Sequence, residues 1–251
     1  MSDKNAMNAQ KIFGTKTKKD WEDIRDLIKN EPQEKSHWSR AFKLLDLRLK
    51  TRYCKPIEKI SFKTDEEIAN GQGFAVMTLI CSLIEFLQTC YEGVSFKLEG
   101  AVKQNYEYGN DKASKKFKKF LTQQKPFNVF FNQPSKDPSN PNVKTLADDF
   151  YANVRCGLLH EAATKNNWVI RTKISGCKMI DIESEKPLKI IYRDTFVEAI
   201  KVYVNSYGEK IKNDEKDDKD NSLRYALARK LDALCDIKAD KTDWWQEKLI
   251  A

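Results

Sequence analysis

The chain has 251 residues, enough to bury a sizeable core in one large domain or two small ones. Its 40% hydrophobic and 33% charged residues are an ordinary globular mix. A formal net charge of +8 permits a polyanionic partner without requiring one. Six cysteines with no CxxC pair, beside only two histidines, exclude a Cys/His zinc site of the usual spacing, and no metal or other cofactor is expected.

The opening run MSDKNAMNAQKIFG holds no apolar signal core. Residues 18–30 place Trp21, Ile24, Leu27 and Ile28 at helical spacing before Pro32. A second helix is predicted over 36–50, with Trp38, Ala41, Phe42, Leu45 and Leu49 on one face. Residues 51–72 read as a connection with Pro56, a short extended KISF and an acidic Asp65-Glu66-Glu67. Gly71 and Gly73 then precede an apolar helix over 74–92, closed by Gly93. It is apolar almost all round, which predicts a central helix. Its FAVMTLICSLI stretch, eleven residues long, is too short to span a bilayer, so no membrane association is expected. Cys81, Cys90 and Cys156 lie among apolar residues as buried free thiols do, which fits a reducing cytoplasm.

Residues 111–125 form a basic amphipathic stretch. Phe117, Phe120 and Leu121 share one face, and Lys115, Lys116, Lys118 and Lys119 cover the rest. These lysines are candidate RNA-phosphate contacts; a solvated lysine face over a phenylalanine core is the alternative. A proline- and asparagine-rich loop follows at 132–142, and Thr145 with Asp148 forms a capping-box start for the next helix. The period then changes to two. WVIRTKI, KMIDI and KIIYR predict a small antiparallel sheet, or a hairpin plus one strand, over about 168–193. Helix returns at 194–211, with Phe196, Ile200, Val204 and Tyr207 apolar. A charged linker covers 212–221. A last helix at 222–235 carries Leu223, Leu227, Leu231 and Leu234, and a DWWQEKLIA tail ends the sequence. Its two tryptophans read as packing residues rather than a base-stacking platform.

No P-loop, GxGxxG, HExxH or GxSxG motif is present. What stands out is DDFYANVRCGLLHEAATKNNWVI, residues 148–170, where Arg155 precedes His160 by five positions. On an ideal helix Leu146, Phe150, Val154 and Leu158 make the core stripe. Ala152, Cys156 and Ala163 make a shallow second face flanked by Arg155 and His160, which lie about 140° apart. That face suits a neighbouring helix, a second copy or a ligand, and the separation favours a site completed by a second copy. A guanidinium binds phosphate bidentately and an imidazole moves a proton near neutrality. Together they suit metal-independent RNA cleavage. A core or capping histidine beside a surface arginine is the other reading of the spacing.

At FYANVRCGLLHEA the chain resembles the HEPN superfamily (higher eukaryotes and prokaryotes nucleotide-binding). Its mark is an arginine, four to six variable residues and a histidine late in a helical bundle, here Arg155-Cys-Gly-Leu-Leu-His160. GQGFAVMTLICSLIEFLQTCYEG also looks like the upstream helix of stand-alone prokaryotic members, and the resemblance covers roughly 38–235. It implies a mainly α fold, an up-and-down bundle with a small antiparallel β insertion, and a single domain over 1–251: a 36–211 core, the 212–221 linker, and a 222–251 helix and tail. It further implies a homodimer through the 148–163 helix and metal-independent endoribonuclease activity in defence or toxin–antitoxin systems. RNA is then the substrate and an antitoxin or defence protein a partner. Arg155 would hold the scissile phosphate and His160 would transfer the proton. Cys156 departs from the polar residue, often asparagine, that follows the arginine in many members. Ala162 stands where modified members carry a tyrosine, so nucleotidylation there is not implied. Glu85, a carboxylate in an apolar helix, needs a partner; it either orients Arg155 or His160 or pairs with another cation. A non-catalytic HEPN binding module and a plain helical scaffold are the competing readings.

Overall fold

The computed structural model describes the backbone of residues 10–61, 66–95, 113–135, 140–173, 176, 178–182, 188–214 and 222–238, and the side chains of these except 66–70. In chain order the elements are β1 (Lys11–Phe13), β2 (Lys16–Thr17), α1 (Lys18–Asn30), α2 (Lys35–Leu49), a π turn (Lys50–Cys54) and α3 (Lys55–Ser61). Then come α4 (Glu66–Glu92), α5 (Ala113–Gln123), α6 (Asn128–Phe131), α7 (Leu146–Phe150), a second π turn (Tyr151–Arg155) and α8 (Cys156–Glu161). β3 (Trp168–Arg171), β4 (Ile180–Ile182), β5 (Lys189–Tyr192), α9 (Arg193–Asn213) and α10 (Leu223–Leu234) complete the series. The fold is mainly α, as expected. The linker beyond Asp214, the DWWQEKLIA tail and the acidic side chains at 65–67 lie outside the described residues.

The chain forms two compact units. The first comprises Met1–Lys55, Thr89–Asp111 and Asn205–Ala251. Thr17 and Asp20 make a capping box for α1. Trp21, Ile24 and Ile28 are buried with Trp38, Leu45, Leu49, Tyr207, Leu227 and Leu231. Polar groups inside this core are satisfied rather than absent. The buried Asp232 carboxylate accepts from Trp21 Nε1 at 2.8 Å and from Arg25 Nε at 2.9 Å. Arg224 stacks over the Trp38 ring at 5.3 Å and donates to the Ile211 carbonyl at 2.9 Å. The β1–β2 hairpin had no periodic signal, being only three and two residues long.

Residues 51–61 are helical, not a connection with an extended KISF. The π turn explains how Pro56 is tolerated there. A proline inside an α-helix conflicts with the carbonyl four residues back. Here the Lys55 N–H already reaches the Lys50 carbonyl, five residues back, so the ladder has widened before the proline arrives.

The second unit comprises Pro56–Gln88 and Lys112–Val204. Its core is aromatic. Phe150 lies 5.2 Å from Phe131 and 5.5 Å from Trp168, both edge-on, and stacks on Phe196 at 5.9 Å. Phe117, Phe120 and Leu121 of α5 are buried, as the amphipathic pattern predicts. The three-stranded sheet is mixed, not antiparallel: its order is β3-β5-β4, with β3 parallel and β4 antiparallel to β5. The reason is legible in KIIY, an apolar run without alternation. Ile190, Ile191 and Tyr192 are all buried, so β5 takes the centre and the half-polar WVIR and IDI take the edges.

Helix α4 also departs from expectation. Gly71 and Gly73 lie inside it, and Gly71–Glu92 is 22 residues, long and apolar enough by length and composition to cross a membrane, against the eleven counted from FAVMTLICSLI. Val76, Met77, Ile80, Leu83, Ile84 and Leu87 are nonetheless buried in protein, and a buried core helix passes the same test of length and composition. Nor is α4 enclosed all round, since Phe74, Ala75 and Ser82 are exposed. Its end follows the predicted glycine stop. Gly93 adopts φ +64°, and the Val94 N–H closes on the Thr89 carbonyl at 3.0 Å. A Cβ at Gly93 would lie 2.6 Å from Ala226 Cα. Gly93→Ala is therefore expected to cost about 1–3 kcal/mol, read as a lower urea midpoint at unchanged slope.

Candidate functional site

Thr145 opens α7 as predicted: its hydroxyl accepts from the Asp148 N–H, and the Asp148 carboxylate returns to the Thr145 N–H at 3.1 Å. Leu146, Phe150, Val154 and Leu158 form the buried stripe. Between them the helix widens. The Cys156 N–H bonds to the Tyr151 carbonyl, five residues back, so Tyr151–Arg155 is a π turn that holds one residue more than an α turn. Constant 100° steps across 146–160 therefore misplace the residues beyond Tyr151. Ala163 drops off the predicted second face altogether. The helix stops at Glu161, Ala162 takes the left-handed conformation (φ 50°), and the Ala162 and Ala163 N–H groups both turn to the Gly157 carbonyl. The returning chain passes so close that a Cβ on Gly157 would meet the Ala163 oxygen at 2.4 Å.

Arg155 is half-buried. Its Nη2 lies 3.7 Å from Glu85 Oε2, and its guanidinium sits 5.4 Å above the Tyr151 ring. Of the two partners open to Glu85, the structure gives it Arg155, so the α4 carboxylate faces the π turn. Burial pushes the Tyr151 hydroxyl above its ordinary pKa; Arg155 opposes this, while a hydrogen bond with Cys156 and the Glu85 charge add to it. Burial likewise drives the Cys81 thiol up to about 12, which keeps it a thiol at neutral pH. His160 is exposed in the last turn of α8. No hydrogen bond or ion pair joins it to Arg155 among the described residues. Within one chain the two motif residues share a helical run but are not brought together by contact.

The lysines of α5 are less available than the pattern suggested. Lys116 is buried, Lys118 is paired with Asp148 at 2.9 Å, and none of Lys115, Lys116 and Lys119 is without a partner.

The residue that sequence reasoning missed is Asp149. It is fully buried, yet it gathers five donors: Ser135 Oγ at 2.6 Å, Asn153 Nδ2 at 2.9 Å, Trp168 Nε1 at 3.0 Å, Asn166 Nδ2 at 3.4 Å, and Lys189 Nζ. Burial alone raises the pKa of a carboxyl. Here the hydrogen bonds from Lys189, Ser135, Trp168 and Asn153 outweigh burial and hold Asp149 below the ordinary range. The Asn153 carbonyl then takes the Lys165 N–H at 2.8 Å, which pins the segment after His160 back onto the π turn. The capping box claims Asp148, and no local pattern marks Asp149 as its inward-facing neighbour.

Set against family models, curated proteins and solved structures, the chain has no match in any of the three. The candidate site is thus defined by its own residues: Arg155, His160, Glu85 and Tyr151, on a helix anchored through Asp149.

Asp149→Ala is expected to cost about 3–5 kcal/mol at neutral pH, because it strands the Lys189 ammonium in a largely dry position. Lys189→Met in the same chain should recover most of that loss in urea unfolding. The pH dependence follows from the sign of the shift. The carboxylate's contribution is complete above the unfolded carboxyl value of ~3.9 and is lost as pH falls through the lower native value. Acid titration of the wild type should therefore show a stability loss below about pH 4 that the Asp149→Ala, Lys189→Met chain lacks. Equal acid limbs in the two proteins would remove Asp149 as the anchor.

Proposed function

We propose that the chain is a metal-independent endoribonuclease of the HEPN type, acting as a homodimer through the 148–163 helix, in the cytoplasm and in a defence or toxin–antitoxin setting with an antitoxin-like partner. The supporting observation is the Arg155-Cys-Gly-Leu-Leu-His160 run on one continuous helix, with an exposed imidazole at its end and a guanidinium steadied by Glu85. Leu159, 47% exposed beside His160, and half-buried Ala152 and Cys156 leave a low apolar face for a second copy.

In this reading His160 takes the ribose 2′-hydroxyl proton, and the 2′-oxygen attacks phosphorus. Arg155 neutralises the charge that builds on the non-bridging oxygens. The P–O5′ bond breaks, and the leaving oxygen takes a proton from the imidazolium of the second copy. The products are a 2′,3′-cyclic phosphate and a 5′-hydroxyl. No step calls on a metal or cofactor. Glu85 acts on Arg155 as a positioning residue, aiming the guanidinium before substrate arrives.

Two features favour a second reading, a non-catalytic HEPN module that binds RNA, a nucleotide or a protein. Glu85 already claims part of Arg155's charge, and Cys156 stands where active members often carry asparagine.

Pure protein incubated with end-labelled single-stranded RNA in EDTA separates the two. Cleavage that leaves cyclic-phosphate ends and falls by at least about a hundredfold in Arg155→Ala and His160→Ala supports the enzyme. Binding without cleavage points to the module. Glu85→Gln is expected to slow cleavage; full activity with lowered stability would remove its orienting role.

A further inference from the structure

Buried cations in this protein are paired almost without exception among the described residues. Arg25 meets Asp232, Lys189 meets Asp149, Lys230 donates to Thr89 Oγ1 at 2.7 Å, and Arg224 donates to the Ile211 carbonyl. Arg193 differs. It is 7% exposed, and its Nε is buried with no hydrogen-bond partner. The nearest carboxylate oxygen, Asp194 Oδ1, is 3.9 Å from that nitrogen, beyond hydrogen-bond reach. The Asp194 carboxylate is itself engaged, accepting the Lys173 N–H at 2.8 Å. No acceptor among the described residues takes any of Arg193's side-chain N–H groups.

The surroundings make room for one. Arg193 is the first residue of α9, directly after β5, and its guanidinium lies against α4 where that helix has no side chain. An imagined Cβ at Gly73 would sit 3.7 Å from Arg193 Nη1 and 3.0 Å from Ile170 Cγ2. A 21-residue helix also presents its positive end at this residue. Leaving a guanidinium buried and unpaired is costly; a hydrophobic side chain of the same length would fill the space more favourably.

We propose that Arg193 is the core of an anion site that takes a phosphate group, with the guanidinium fork and the first turn of α9 as its donors. Fork and helix terminus together match the several oxygens of a phosphate. The site is distinct from the Arg155 cluster: Gly73 and Glu85 are twelve residues apart on α4, about 18 Å of helix. It stands whether or not the chain cleaves RNA.

The test uses the full-length protein, wild type and Arg193→Met. Thermal unfolding is followed against inorganic phosphate, with acetate at matched ionic strength as control, and single-stranded RNA binding is followed across salt. Arg193→Met should fold with equal or greater stability. The expected result is a wild-type midpoint that rises with phosphate and not with acetate, and a phosphate affinity at least about tenfold weaker in Arg193→Met. The RNA arm identifies the source. A slope of log K against log salt that falls by about 0.7 in Arg193→Met assigns an RNA backbone phosphate, and an unchanged slope assigns free phosphate or a mononucleotide. If Arg193→Met does not fold, Arg193→Lys, which keeps the charge and loses the fork, takes its place with the same two readouts. A wild type indifferent to phosphate with equal RNA slopes, a variant that responds to phosphate as the wild type does, or equal stabilisation by acetate would each overturn the proposal.

Discussion

One buried carboxylate organises the second unit. Asp149 takes hydrogen bonds from the 135 loop, from its own helix one turn on, from the turn before β3, and from β3 and β5 themselves. A carboxylate so enclosed is stable only because each lone pair finds a donor. The aromatic cluster around Phe150, the next residue, supplies the apolar burial. Asp149 supplies direction: hydrogen bonds require a particular geometry, whereas packed rings tolerate several. The helix that carries Arg155 and His160 is thereby tied to the sheet at its N-terminal half, while its C-terminal half ends in an exposed imidazole.

That asymmetry suits a site that must be both placed and reachable. Arg155 sits where the chain is best anchored, between the Tyr151 ring and the Glu85 carboxylate. His160 sits past the π turn, in a short final turn held by the Gly157 carbonyl and by the Lys165–Asn153 backbone bond. Gly157 belongs to the same device, since any larger residue would push away the chain that returns over it. The motif spacing thus combines a gripped residue with a presented one, and the glycine between them is set by the close return of the backbone.

Much of this was legible in the sequence. The stripe Leu146, Phe150, Val154, Leu158, the Thr145–Asp148 box, the α5 phenylalanines and the glycine stop at Gly93 all follow from periodicity and capping, which are local. The three strands were placed correctly for the same reason, but their directions were not. Pairing is decided by which strand is buried on both faces, and KIIY alone carries that hint. Asp149 and Arg193 were illegible because their partners lie far away in sequence or are missing altogether. A charged residue reads as surface until the fold encloses it. The helical continuation through Pro56 was missed because the turn that accommodates a proline leaves no compositional trace.

The two π turns have a common consequence. Each is what a helix becomes when its strand of chain holds one more residue than its ladder of bonds can index. Upstream and downstream segments therefore keep separate phases, as two gears offset by a tooth. For Tyr151–Arg155 this means that the anchored half and the histidine-bearing half cannot drift together. Any insertion or deletion inside the turn would leave the grip on β3 and β5 intact and swing the imidazole by roughly a quarter of a revolution.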